Sequence, residues 1–211
     1  MKLTKYEHAC LVLEDNGAKV VIDPGVFTKE FGNLDAIVAV VVTHVHGDHY
    51  APKHLDAILE ANPDALIFTT RDVADEYKHD NVQVVSDGDH IAIETFTLQF
   101  VGEDHTVIHD SLPTPLNTGV LINEQFYYPG DSFTLPGKPI KILAVPANAP
   151  WATVGQSMDF ISEGAPELCF PTHNGLLSET GHLVYNDSLN HICQQADIEF
   201  KALQPGESLD V

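Results

Sequence analysis

Seven consecutive apolar residues, Ala36 to Val42, run straight into Thr43-His44-Val45-His46-Gly47-Asp48-His49. A continuous, largely β-branched run of this length suits a strand buried on both faces. Strands of that kind belong to layered α/β folds, which gather ligands beyond the strands' carboxyl ends. Transition metals such as zinc favour imidazole and carboxylate ligands. In an HxHxDH run, two histidines one residue apart can point the same way from an extended segment, while the Asp and His that follow turn toward a neighbouring position. One loop could therefore serve two ions, and the motif is strong though not decisive alone. The alternative is a solvated polar loop with accidental histidines.

The rest of the chain extends this layered pattern. His8 to Leu13 and Lys19 to Ile22 read as a hairpin around Asp15-Asn16-Gly17, closed by Asp23-Pro24-Gly25. Pro52 opens a helix through Glu60, with Leu55, Ile58 and Leu59 at helical spacing. Ala65 to Thr69 reads as a strand, Asp72 to Lys78 as a short helix and Val82 to Val85 as a strand. Ile91 to Val101 reads as two strands or one bent strand. After the Pro-, His- and Asp-rich loop from Gly102 to Asn117, strands are expected near Gly119 to Ile122, Phe126 to Tyr128, Ile140 to Val145 and Leu168 to Phe170. Helices are expected near Val154 to Ser162 and Asp187 to Gln195. One α/β domain over 1–211 is expected, with two pseudo-repeated halves at about 1–105 and 115–211.

Composition narrows the partners. The 211 residues carry 31 Asp plus Glu against 10 Lys plus Arg, a formal net charge of -21. So acidic a surface disfavours nucleic acid and anionic membrane, whose phosphates require clustered Lys and Arg. The expected partner is a small-molecule substrate, with homo-oligomerisation left open. Cys10, Cys169 and Cys193 have no CxxC spacing and read as buried thiols in a reducing compartment. The N-terminus meets charged residues too early for a signal-peptide core, and no apolar run approaches the ~18 residues of a membrane span. A cytoplasmic location is the expectation.

The segments EHACLVLEDNGAKVVIDPG, THVHGDHY, GEDHTVIH, NTGVLINEQFYYPGDS and FPTHN follow one another from about Leu3 to Glu207. In that order they resemble the metallo-β-lactamase superfamily, particularly its short, UlaG-like branch of metal-dependent hydrolases. The resemblance implies an αββα four-layer sandwich. It also implies two divalent ions, zinc first, with manganese, iron or nickel as alternatives. His44, His46 and a third histidine from GEDHTVIH would hold one ion. Asp48, His49 and His173 would hold the other, and Asp131 would bridge both. His105 is favoured over His109 as the third ligand. His109 would then act near the substrate or be an ordinary loop histidine.

Asp23 matches the family's early aspartate, which resembles a group hydrogen-bonding the metal loop, although it could simply form the turn before Pro24. His8 aligns with a histidine near the metal cleft, or it is a partly buried strand residue. Trp151 reads as a packing anchor that could wall a pocket. The activity implied is hydrolysis by a hydroxide bridging two ions, with Asp48 orienting it and shuttling a proton. A small neutral ester, lactone or amide is favoured, because Arg71 is the only arginine and the few lysines offer no obvious phosphate clamp. Lys138 and Lys141 would contradict this if they lined the cleft. The alternatives are a phosphodiester or phosphorylated-lactone hydrolase, an iron-dependent oxidoreductase of the same fold, and a non-catalytic metal-binding protein. In diiron relatives the second His of the motif is typically Glu, whereas here it is His46.

Overall fold

The computed structural model of the chain describes residues 1–29 and 32–211. The chain opens with β1 (Lys2–Lys5), β2 (Leu11–Asp15), β3 (Ala18–Ile22) and β4 (Ile37–Val42), followed by α1 (Pro52–Ala61), β5 (Leu66–Thr69), α2 (Arg71–Glu76) and β6 (Val82–Val84). Next come β7 (His90–Ile93), β8 (Phe96–Val101), β9 (Gly119–Ile122), β10 (Phe126–Tyr128) and β11 (Ile142–Pro146). The chain closes with α3 (Val154–Gly164), β12 (Leu168–Thr172), α4 (Glu179–Gln195), β13 (Glu199–Phe200) and β14 (Ser208–Asp210).

Two seven-stranded sheets result, in the orders β14-β1-β2-β3-β4-β5-β6 and β13-β12-β11-β10-β9-β8-β7. Strands β3 through β6 pair in parallel, as do β10 through β13. The remaining pairs are antiparallel hairpins or edges. Asn16 and Gly17 both take positive φ, 47° and 87°, which a two-residue hairpin turn between β2 and β3 requires.

Each sheet has two faces to bury, and the sequence supplies apolar residues for both. Leu13, Phe68, Phe100, Phe126 and Phe170 fill the space between the sheets. On the outer face of the first sheet, Val40 and Val42 pack with Leu55 and Ile58 of α1. On the outer face of the second, Leu143 and Val145 meet Phe160 and Ile161 of α3 and Leu189 and Cys193 of α4. The layers are thus helix, sheet, sheet and helix, in one α/β domain. All three cysteines are buried and free. Among the described residues no helix is long and apolar enough to cross a membrane.

The sheets divide the chain differently from the halves expected at about residues 105 and 115. The crossing falls between β6 and β7, so His90–Val101 already belongs to the second sheet, while β14 returns to the first. Hairpin pairing of β8 with β9 decides this, binding Phe96–Val101 to the strand that follows it. Helix α4 begins at Glu179, eight residues ahead of the Asp187 start expected from the sequence, and is capped by the Ser178 hydroxyl. Its first turns expose Leu183 and Val184, so they carry no apolar stripe to reveal them.

Candidate metal centre

The parallel strands end together at one rim, and the chemistry gathers there. Asp23 follows β3, Thr43 to His49 follow β4, His105 follows β8, Asp131 follows β10, Trp151 follows β11 and His173 follows β12. Close backbone approach holds the rim together. A Cβ on Gly25 would lie 1.8 Å from the Asp48 carbonyl oxygen, so only glycine lets the β3 loop lie on the motif. His8, Asp23 and His173 sit at positive φ of 57°, 46° and 52°, a conformation that non-glycine residues hold only when their surroundings fix it. The N–H of His173 donates to the carbonyl of His8 at 2.9 Å, joining two of the three.

Two groups of potential ligands result, with the ligand atoms in each within 4.8 Å of one another. One contains His44, His46, His105 and Asp131, and the other His8, Asp48, His49 and His173. Asp131 reaches both. Its Oδ1 lies 3.1 Å from His49 Nε2, and its Oδ2 lies 3.3 Å from His105 Nε2 and 3.2 Å from His173 Nε2. Asp48 Oδ2 lies 3.3 Å from His173 Nε2.

The outer nitrogens fix how the rings are presented. His49 Nδ1–H donates to Asp23 Oδ2 at 2.6 Å, His173 Nδ1–H to the Asn148 carbonyl at 2.7 Å, and His105 Nδ1–H to the Thr106 carbonyl. The Thr43 hydroxyl spends its proton on Asp23 Oδ2, so it accepts from His44 Nδ1–H at 3.0 Å. When neutral, each of these rings turns an Nε2 lone pair inward. His49 Nε2, His105 Nε2, His173 Nε2 and Asp131 Oδ1 are buried with no hydrogen-bond partner. Buried polar atoms are rarely left so.

A metal ion answers the arrangement. Ligand atoms about 2.0–2.1 Å from a common ion in tetrahedral geometry stand roughly 3.3 Å apart, and the contacts of 3.1–3.3 Å around Asp131 match. His46, half-buried, turns its Nδ1 to within 3.1 Å of His44 Nε2.

His8 is the exception. The Gly175 N–H donates to its Nδ1 at 3.1 Å, so its proton sits on Nε2, which donates to Asp48 Oδ2 at 3.0 Å. It faces the centre as a donor and has no inward lone pair to offer.

The electrostatics follow the same geometry. Burial pushes His44 well below the ordinary histidine value and His8 down to about 4. Burial would also depress His49 and His173. Asp131 and Asp23 outweigh it at His49, and Asp131 and Asp48 raise His173 to about 9. Burial opposes ionisation of Asp131, yet His49, His173 and His44 hold it well below the usual carboxylate range. The carboxylates and imidazoles of the centre stabilise one another's charged forms.

Asp23 stands behind this centre. It is buried and accepts from Thr43 N–H, the Thr43 hydroxyl, His49 Nδ1–H and the Tyr128 hydroxyl. Through Thr43 and His49 it is bonded to the loop that follows β4. His109 is brought to neither group. It is exposed, and its Nδ1 meets the Ser111 hydroxyl at 2.7 Å, so the contacts give no support to a role at the reacting centre. Among the loop histidines the structure groups His105, not His109, with His44 and His46.

Sequence reasoning read Trp151 as a packing anchor that could wall a pocket and missed its bond to Asp131. Its indole N–H donates to Asp131 Oδ2 at 2.8 Å while its ring meets His105 edge-on at 5.7 Å. Nothing near Trp151 in the sequence signals a partner 20 residues away.

Helices lie outside two facing sheets, and a rim of histidines and carboxylates at the strand ends forms a candidate metal centre. Residues 2–173 match the family described as the Beta-lactamase superfamily domain, and the chain belongs to that superfamily. It is similar to protein Rv0786c of Mycobacterium tuberculosis, 29% identical over 91% of this chain and 92% of that one. It is also 26% identical to a UPF0173 metal-dependent hydrolase of Staphylococcus carnosus, over 63% of each chain. Among solved structures, Igni18, a metallo hydrolase from Ignicoccus hospitalis, superposes with a TM-score of 0.73 at 17% identity, over 99% of this chain and 97% of that one. The diiron β-hydroxylase CmlA of Streptomyces venezuelae gives 0.73 at 14% identity, over 100% of this chain and 54% of its own. Both likenesses concern the fold.

Proposed function

We propose that this metal-dependent hydrolase holds two divalent ions and cleaves a small neutral ester, lactone or amide. One ion would lie among His44, His46 and His105, the other among Asp48, His49 and His173, with Asp131 shared. The supporting observation is the set of four unpartnered buried atoms converging on Asp131. Zinc is the first candidate; manganese, iron and nickel also accept imidazole and carboxylate donors. When bound, such ions polarise a carbonyl oxygen and lower the pKa of water from 15.7 toward about 7.

The chain's own residues do the rest. Asp23 and the Asn148 carbonyl fix the rings of His49 and His173. Trp151 covers one oxygen of Asp131 and keeps water from it. Asp48, with its side chain 24% exposed and one oxygen held by His8, is the carboxylate open to the mouth. It orients the attacking water and takes up its proton.

The lysines favour a neutral substrate. Lys138 Nζ is paired with Glu124, and the Lys141 backbone bonds Gln125, both at the β9–β10 turn. That turn lies at the opposite end of β10 from Asp131. Among the described residues no lysine or arginine side chain pairs with either ligand group. The test is a panel of neutral esters, lactones and amides beside phosphodiesters, assayed on the metal-loaded protein. Cleavage of a neutral class at least about tenfold faster than phosphodiesters is expected; the reverse order would overturn the substrate assignment.

A further inference from the structure

The polar centre opens through apolar loops. Among the ligand residues only His46 and Asp48 reach solvent, beside exposed Gly47, so the mouth lies over residues 46–48. The N–H of Val26 donates to the carbonyl of Gly47 at 2.8 Å, and the Phe27 ring stands edge-on to His8 at 5.1 Å. The N–H of Thr106 donates to the carbonyl of Asp131, which sets Val107 beside the same opening. Gly175, bonded to His8, does the same for Leu176. Val26, Phe27, Val107 and Leu176 are 52%, 41%, 54% and 58% exposed.

Single exposed apolar residues are ordinary, but four on three separate loops around one opening are a patch. Two of these three loops carry no positive charge, while the segment with Val26 and Phe27 runs on to exposed Lys29. The segment carrying Val107 holds Glu103, Asp104 and Asp110 and no lysine or arginine, and the segment carrying Leu176 holds no charge between His173 and Ser178.

We propose that Val26, Phe27, Val107 and Leu176 form an apolar collar that selects uncharged substrates carrying a hydrocarbon arm next to the scissile bond. This rests on the hydrolase reading above. For an ester, water adds to the carbonyl carbon, the acyl carbon–oxygen bond breaks, and the alcohol leaves with a proton. The collar acts before that step, by taking the arm out of water.

The test is a series of straight-chain esters from acetyl to octanoyl on the metal-loaded protein. Beside it, calorimetry measures binding of alkyl hydroxamates of the same lengths, which need no turnover. Partial burial of each methylene predicts kcat/KM rising about two- to threefold per methylene, through KM, and hydroxamate affinity rising in parallel. Phe27→Ser combined with Leu176→Ser flattens both slopes while metal content stays at the wild-type value. Ester cleavage with flat slopes in both series, or preference for anionic acyl groups, overturns the collar and leaves the hydrolase reading standing. Hydroxamate affinity that climbs with length while no ester is cleaved supports the collar and overturns an ester as the substrate of the hydrolase reading.

Discussion

In the group formed by His44, His46, His105 and Asp131, the rings of His44 and His105 have an oxygen behind them and turn an Nε2 lone pair inward. In the group formed by His8, Asp48, His49 and His173, one inward nitrogen is a donor. The same residue type serves both purposes, and what decides is the partner of the outer nitrogen. A carbonyl, carboxylate or hydroxyl oxygen behind the ring leaves a lone pair facing in. The Gly175 N–H behind His8 leaves a proton facing in. Proximity alone would count His8 as a ligand; the hydrogen bonds make it the residue that holds Asp48.

The largest effect is expected where both groups depend on one residue. Asp131→Ala should lower kcat by more than the roughly 10- to 100-fold typical of residues behind metal ligands, and reduce metal binding at both positions. Metal analysis of the dialysed variant checks this, and a variant that keeps its full metal content would separate the groups from Asp131.

His8→Asn is the sharper probe of the difference between the groups. Asparagine tolerates positive φ and can accept from Gly175, but it is too short to reach Asp48. The expectation is unchanged metal content with kcat about tenfold lower. Loss of one equivalent of metal would make His8 a ligand and erase the contrast.

Trp151→Phe keeps an aromatic ring beside His105 and removes the donor to Asp131. A fall of about tenfold in metal affinity is expected, measured by competition with a chelating dye. An unchanged affinity would reduce Trp151 to a packing residue.

The smallest effect lies outside both groups. Lys5 is buried with its Nζ donating to the Tyr6 carbonyl, and burial lowers its pKa from 10.5 to about 8, offset in part by Cys10 and Glu7. With the folded value below the unfolded one, the unfolded chain binds more protons between about pH 8 and 10.5, so this residue makes stability rise through that window. At pH 7 it is charged in both states and costs the fold on the order of 3 kcal/mol. Lys5→Met should raise Tm at pH 7 and abolish the alkaline gain. Thermal melts at pH 7 and pH 10 decide it, and a melt unchanged at both would contradict the burial cost.

Much of this architecture was legible in the chain because its signals are local. The run from Ile37 to Val42, the Asn16-Gly17 turn and Pro52 at the head of α1 each carry their own evidence. The edges were not. Strands β1, β13 and β14 have two to four residues each and exist because distant partners pair with them, as Leu3 does with Leu209.

The site divides the same way. HxHxDH lies within six residues and announces itself. The contacts that set the proton on His8 and cover Asp131 join residues 167 and 20 positions apart, and no local pattern encodes them.

The central claim is that Asp131 joins two ion positions, and metal quantification tests it most directly. The chain should be purified without chelator, dialysed, and analysed for all first-row metals by mass spectrometry alongside amino-acid analysis. About two equivalents per chain are expected, falling together in Asp131→Ala. Zero or one equivalent, unchanged after incubation with excess zinc or manganese, would contradict the account.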